Sequence, residues 1–120
     1  MHISWEFPPT IVGGLGTFAM ELTRKLVVMG NEVTVYTLNR DNEYPVRDNW
    51  KGVEVHRPMI VNGTEAFNIF AGEELKRWGS GLKFFSDVAI YNVLSASKVV
   101  NQQIKKEGTR FDLVDSHDWL

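Results

Sequence analysis

The chain has 120 residues, 43% of them hydrophobic and 23% charged, with a formal net charge of -2. That length fits one domain able to bury a core, about 65% of its unfolded surface by size scaling, and the charge balance offers no basic field for nucleic-acid phosphates. The lack of cysteine excludes disulfides, thiolate metal sites and cysteine nucleophiles, and is compatible with a reducing compartment.

No apolar run approaches the roughly 18 residues needed to span a bilayer. No basic segment followed by an apolar stretch opens the chain, so no signal peptide is expected. A cytoplasmic protein without membrane or nucleic-acid partners is the expectation. Lys105-Lys106 is the densest basic point, and Asn62-Gly63-Thr64 reads as a turn rather than a glycosylation site.

In chain order, residues 2–5 read as a short strand. Phe7-Pro8-Pro9 breaks it, since proline lacks an amide donor and disfavours helix before it. Gly13-Gly14-Leu15-Gly16 follows, with Thr17 as a plausible helix N-cap. Over residues 18–29, Phe18, Leu22 and Leu26 recur every four residues, and Ala19 and Met29 widen the stripe, which predicts an amphipathic helix. Glu21 and Lys25 stand as a favourable pair on its wet side, and Gly30 supplies a left-handed stop.

Residues 32–38, rich in Val33, Val35 and Tyr36, predict a second strand. Residues 39–51 are polar and read as loop, and residues 53–57 predict a short strand closed by Pro58. Residues 64–78 are ambiguous, with Phe67, Phe70, Leu75 and Trp78 at roughly helical spacing but Gly72 between them. After the break Gly79-Ser80-Gly81, residues 82–107 predict one long helix lined by Phe85, Ala89, Val93, Ala96, Val100 and Ile104, ended by Gly108. Residues 111–116 predict a last strand. Strands alternating with helices predict an α/β fold, a Rossmann-like parallel sheet flanked by helices. No linker marks a second domain.

Three constellations carry chemistry. The glycines between strand and helix let backbone approach a ligand, and the helix amides beyond them favour a phosphate or pyrophosphate. The plain alternative is a tight strand-to-helix turn. Ser116-His117-Asp118-Trp119 follows the last strand. Ligands of open parallel sheets bind at the carboxyl ends of the strands, so His117 and the glycine loop can face one crevice. A neutral imidazole there can bond a sugar hydroxyl or a leaving-group oxygen. Otherwise His117 caps the strand and Asp118 the next helix. Glu6 reaches the same crevice, or is a solvated carboxylate beside a proline turn. His56 reads as surface or core. The three histidines show no metal-binding spacing, and the aromatic stretch 67–85 reads as core rather than a sugar-stacking platform. No nucleophile elbow or Ser-His-Asp arrangement is visible.

Taken together, Ser4-Trp5-Glu6-Phe7-Pro8-Pro9, then Val12-Gly13-Gly14-Leu15-Gly16, then Met29-Gly30-Asn31-Glu32-Val33-Thr34-Val35 resemble the start of the starch/glycogen synthases and related glycosyltransferases. Phe111-Asp112-Leu113-Val114-Asp115-Ser116-His117-Asp118-Trp119-Leu120 is similar to the same family's second signature, about 100 residues on. The resemblance implies the GT-B fold: two Rossmann-like domains across a cleft, the first holding the acceptor glucan, the second most of the nucleotide sugar. It implies that Gly13, Gly14 and the backbone of Leu15 lie near the donor pyrophosphate. It implies that His117 contacts the transferred glucose and assists catalysis, with Glu6 and Asp118 near the same cleft. The reaction implied is transfer of glucose from ADP-glucose or UDP-glucose to an α-1,4-glucan with retention. It needs no further cofactor and no metal, so fixed positive charge must meet the leaving diphosphate.

Ile11 stands where the bacterial and plant synthases carry a lysine two positions before the paired glycines, which leaves the donor nucleotide and product open. The chain stops at the histidine motif, so residues 1–120 are expected to be an incomplete N-terminal domain without the nucleotide-sugar domain. Such a fragment is expected to be inactive alone and to cover its exposed faces by self-association. A dinucleotide-binding oxidoreductase domain shares the element order, and Arg40 suits a 2′-phosphate. Against it, residues 5–13 form a long loop, no clean G-x-G-x-x-G is present, and no acid ends the second strand at Leu38-Asn39. A non-catalytic glucan-binding or self-associating remnant is the third reading.

Overall fold

The computed structural model describes residues 1–39, 42–59, 73 and 77–117. Arg40, the 62–64 turn and most of the ambiguous 64–78 stretch lie outside the described residues. The elements are β1 (His2–Ile3), α1 (Gly14–Val28), β2 (Val33–Tyr36), β3 (Arg47–Trp50), β4 (Val53–His56), α2 (Ser80–Ser97) with a π-helical continuation (Lys98–Lys106), and β5 (Asp115–Ser116). They form a five-stranded sheet in the order β3-β4-β2-β1-β5. The β1, β2, β4 and β5 pairings are parallel, as the alternating pattern predicts. Among the described residues no helix is long and apolar enough to cross a membrane.

The exception is β3, which runs antiparallel to β4 inside the stretch read as loop. The turn Lys51-Gly52 explains it. Both residues have positive φ, 51° and 88°, the two-residue hairpin geometry that matches strand twist. The Gly52 amide donates to Asn49 Oδ1 at 3.1 Å. Polar composition hid the strand because β3 is an edge with three of its four residues exposed.

The sheet has two different faces. On one, Val33, Val35, Val53 and Val55 pack with Phe7 and Ala19, and Leu26, Val27 and Trp50 close the cluster. The residues of α1 facing it are small: Gly16, Ala19 and Thr23 are buried, while Phe18 and Met29 of the expected stripe are exposed. Thr23 satisfies its hydroxyl on the Ala19 carbonyl at 2.7 Å, so a polar residue can sit on the packing face. Nor is Thr17 the N-cap. Helix α1 begins at Gly14 with Gly13 as cap, and the Thr17 hydroxyl donates back to the Gly13 carbonyl at 3.1 Å. Glu21 pairs with Arg24 at 3.9 Å rather than with Lys25, an exposed contact of little energetic weight. Gly30 has φ 87° and ends the helix as expected.

The other face carries Tyr36 and His56, stacked with centroids 4.8 Å apart. Over them lies the π-helical segment, whose buried Gln103 accepts the Tyr36 hydroxyl at 2.7 Å. A uniform α-helix was expected here. The wider π turn changes the helix phase, and Gln103, not Val100 or Ile104, meets the sheet. Upstream, α2 buries Leu82, Ser86, Val88, Tyr91 and Ser95, and the expected stripe is turned outward, with Val93 68% exposed. Gly79 and Gly108 bound the helical stretch at positive φ, 50° and 71°.

His56 makes this face sensitive to pH. It is fully buried, its Nε2 lies 2.9 Å from Glu54 Oε1, and its Nδ1 is buried with no hydrogen-bond partner. A second ring proton would be stranded at Nδ1. Burial first, then the charges of Lys98 and Arg47, push His56 below its ordinary range, against the opposing pull of Glu54. The unfolded chain therefore takes the proton more readily than the folded one. The stabilisation is full above the ordinary imidazole value of about 6.5 and is lost as pH falls through it toward the lowered folded value. Urea midpoints are expected to drop between pH 7 and 5, and His56→Asn to flatten that slope. An unchanged slope in the variant would contradict this origin.

Candidate functional site

The carboxyl ends of the parallel strands share one edge of the sheet, and residues 4–13 run along it after β1. Glu6 organises this loop. One oxygen, Oε2, accepts the Val12 amide at 3.1 Å and the Gly13 amide at 2.8 Å. A carboxylate just outside a helix N-terminus also meets the positive end of the helix dipole. The sequence marked Glu6 as a cleft residue but gave no sign of this structural task.

The three glycines then divide by function. A β-carbon added at Gly16 would stand 2.7 Å from Glu6 Cβ and 2.9 Å from Glu6 Oε2. Gly16 is therefore required for Glu6 to approach. Ile11 lies against the same spot, its Cγ2 3.2 Å from that position. A β-carbon at Gly14 would meet nothing within 4 Å, so the fold alone does not demand glycine there. The Gly13 amide is already committed to Glu6. The first-turn amides of Gly14 and Leu15 precede any intrahelical bonding, and the Leu15 side chain is exposed.

The far end of the chain closes on the same region. The Phe18 ring, one turn beyond Gly14, meets His117 edge-on, with centroids 4.7 Å apart and planes at 87°. This contact explains why Phe18 is absent from the α1 core face. It brings His117 against the first turns of the helix that the glycine motif opens. Asp118 lies outside the described residues, as does Trp119.

His117 is half-exposed, and its Nε2 lies 3.0 Å from Asp115 Oδ2. The same oxygen is 2.9 Å from Nδ1 of His2, which is buried. The ring of His2 is tilted 47° against that of His117 at 5.6 Å. The three side chains bring one ring nitrogen each from His2 and His117 and a carboxylate oxygen of Asp115 within 4.8 Å of one another. Chain spacing conceals this group because the histidines stand at opposite ends. The parallel register His2↔Asp115 assembles it.

Arg57, another residue the sequence did not single out, anchors the loop from below. It is buried; its guanidinium donates to the Pro8 carbonyl at 2.7 Å and to Asp48 Oδ2 at 3.3 Å. It also lies over the Tyr44 ring at 5.6 Å. Beside it, Asn39 bonds the Tyr44 backbone in both directions, at 2.8 and 3.1 Å. Further along the same edge, Val46, Pro58, Met59, Leu94 and Lys98 line an open groove of about 580 Å³.

Comparison with known proteins identifies the family. The whole chain, residues 1–120, matches the family model described as starch synthase catalytic domain. An uncharacterized glycosyltransferase of Methanocaldococcus jannaschii is 35% identical over 98% of this chain and 24% of its own length. A glycogen synthase of Mycobacterium tuberculosis is 27% identical over all of this chain and 28% of its own length. The chain thus spans about a quarter of the curated relatives it matches. No solved structure matches it significantly. With a mostly parallel α/β sheet, a glycine loop and a histidine joined at its carboxyl edge, and a family match from end to end, the chain belongs to the starch synthase catalytic-domain family of glycosyltransferases.

Proposed function

We propose that this chain forms the acceptor-side part of an N-terminal domain in a retaining glycosyltransferase that moves glucose from ADP-glucose or UDP-glucose to an α-1,4-glucan. The observation that carries this reading is the Phe18–His117 contact at 4.7 Å, which sets His117 beside the first turns of α1. In this reading the Gly14 and Leu15 amides receive the donor pyrophosphate, and Gly13 shapes the loop through Glu6. His117 bonds the transferred glucose. The half-buried Ile11 brings no charge to the loop, so cations on the facing domain neutralise the leaving diphosphate. That second domain holds most of the nucleotide sugar, and the working site is cytoplasmic. Residues 1–120 alone do not transfer glucose, because half a cleft neither positions two substrates nor excludes water.

The test is glucose transfer from labelled ADP-glucose and UDP-glucose to glycogen, by the complete polypeptide carrying this chain and by residues 1–120 alone. Transfer by the first and none by the second is expected. Transfer by the short chain, or none by the complete one with either donor, would defeat the reading.

The glycines allow a finer test. Gly14→Ala is expected to leave stability within about 1 kcal/mol while weakening donor binding about tenfold or more. Gly16→Ala is expected to cost about 1–3 kcal/mol through its clash with Glu6. Equal stability losses, with donor binding intact in Gly14→Ala, would remove the phosphate role from the loop. The short chain is also expected to self-associate through its outward apolar residues, among them Val93, Val100 and Ile104. A monomer whose sedimentation is independent of concentration would contradict that.

A further inference from the structure

Asp115 serves two imidazoles with one atom. Its Oδ2 lies 2.9 Å from His2 Nδ1 and 3.0 Å from His117 Nε2. An ionised carboxylate oxygen only accepts, so each ring nitrogen aimed at it carries the proton. His2 is thereby the Nδ1–H form and His117 the Nε2–H form, which leaves Nδ1 as the only acceptor on a neutral His117 ring. The arrangement is held from three sides. His2 is buried at 4% exposure, β1 and β5 pair in the register His2↔Asp115, and Phe18 stands edge-on against His117. The N-terminal amine fastens the same corner, donating to the Leu113 carbonyl at 2.7 Å, while the Asp115 amide donates to the Met1 carbonyl at 2.9 Å.

We propose that Asp115 is a positioning residue, backed by His2, that fixes the His117 ring so that it offers a lone pair to a substrate hydroxyl rather than a proton to a leaving group. This rests on the proposed contact of His117 with the transferred sugar. Neither signature motif contains His2, and Asp115 gains its meaning only from the strand register that places His2 opposite it.

Nitrogen-15 spectra of histidine-labelled protein test the positioning directly, without any need for activity. His2 is expected as the Nδ1–H tautomer, the minor form of free imidazole in water, and His117 as the Nε2–H tautomer. Asp115→Ala is expected to release both rings to averaged tautomers. His56, whose nearby carboxylate is Glu54, is expected to stay unchanged, which separates a local effect from a damaged fold. Asp115→Asn, which keeps the side-chain size, guards against loss of β5. His2 found as the Nε2–H form, or both rings unmoved in the two variants, would overturn the proposal. In the complete polypeptide, Asp115→Ala is expected to lower kcat about tenfold with the donor KM unchanged. Loss of transfer in His117→Ala but not in Asp115→Ala would overturn the positioning alone. Unaltered transfer in His117→Ala would defeat the sugar contact itself and this use of the triad with it.

Discussion

Arg57→Ala is expected to destabilise the fold by about 3 kcal/mol, the largest stability effect of any single substitution considered. The side chain is 2% exposed, so truncation leaves a cavity with only partial collapse. It also strips the Pro8 carbonyl of a charged donor at 2.7 Å, and a buried acceptor left unpaired costs about 1–3 kcal/mol. Asp48 loses a partner too, but it is well exposed and the 3.3 Å pair contributes little. Arg57→Lys is expected to recover only part of the loss, because an ammonium cannot present two donors in a planar fork. Urea denaturation measures both; a loss under about 1 kcal/mol for the alanine variant would mean that Arg57 does not anchor the loop. Because Pro8 lies in the segment that leads to Glu6 and the glycines, the same variant is expected to loosen the loop.

His117→Ala separates chemistry from folding. The ring is half-exposed, and its loss removes an edge-on contact with Phe18 and a partly solvent-exposed pairing with Asp115, so stability is expected to change by about 1 kcal/mol or less. In the complete polypeptide, kcat for the proposed transfer is expected to fall about 100-fold, equivalent to about 2.7 kcal/mol of transition-state stabilisation. Single-turnover transfer with saturating donor checks this. A kcat within about threefold of the parent would take His117 out of the reaction.

The parts of this structure legible in the sequence are those governed by local rules. Strand-helix alternation gave the α/β sheet, and Gly30, Gly79 and Gly108 marked helix ends at positive φ. The general rule for parallel sheets placed the glycine loop and His117 at one edge, and the Phe18–His117 contact agrees with that. What escaped depends on partners far along the chain. Large apolar residues suggested the inward face of both helices, yet α1 turns Gly16, Ala19 and Thr23 to the sheet, and α2 buries Ser86 and Ser95 beside Leu82, Val88 and Tyr91. The Thr23 hydroxyl bonds the Ala19 carbonyl within its own helix, so polarity is a poor guide to orientation there. The β3 edge strand carries little hydrophobic signal, and only the Lys51-Gly52 turn betrays it. Arg57 and the His2–Asp115–His117 group need contacts across 49 and 113 residues, which no periodicity encodes.

In the proposed arrangement the loop after β1 and the histidine after β5 form one wall of a donor-sugar site. A crystal structure of the complete polypeptide with a nucleoside diphosphate and a glucan oligosaccharide tests it most directly. The pyrophosphate is expected within hydrogen-bond distance of the Gly14 or Leu15 amide, and a sugar hydroxyl within that distance of His117 Nδ1. A pyrophosphate bound away from the glycine loop, with His117 touching no sugar, would contradict it.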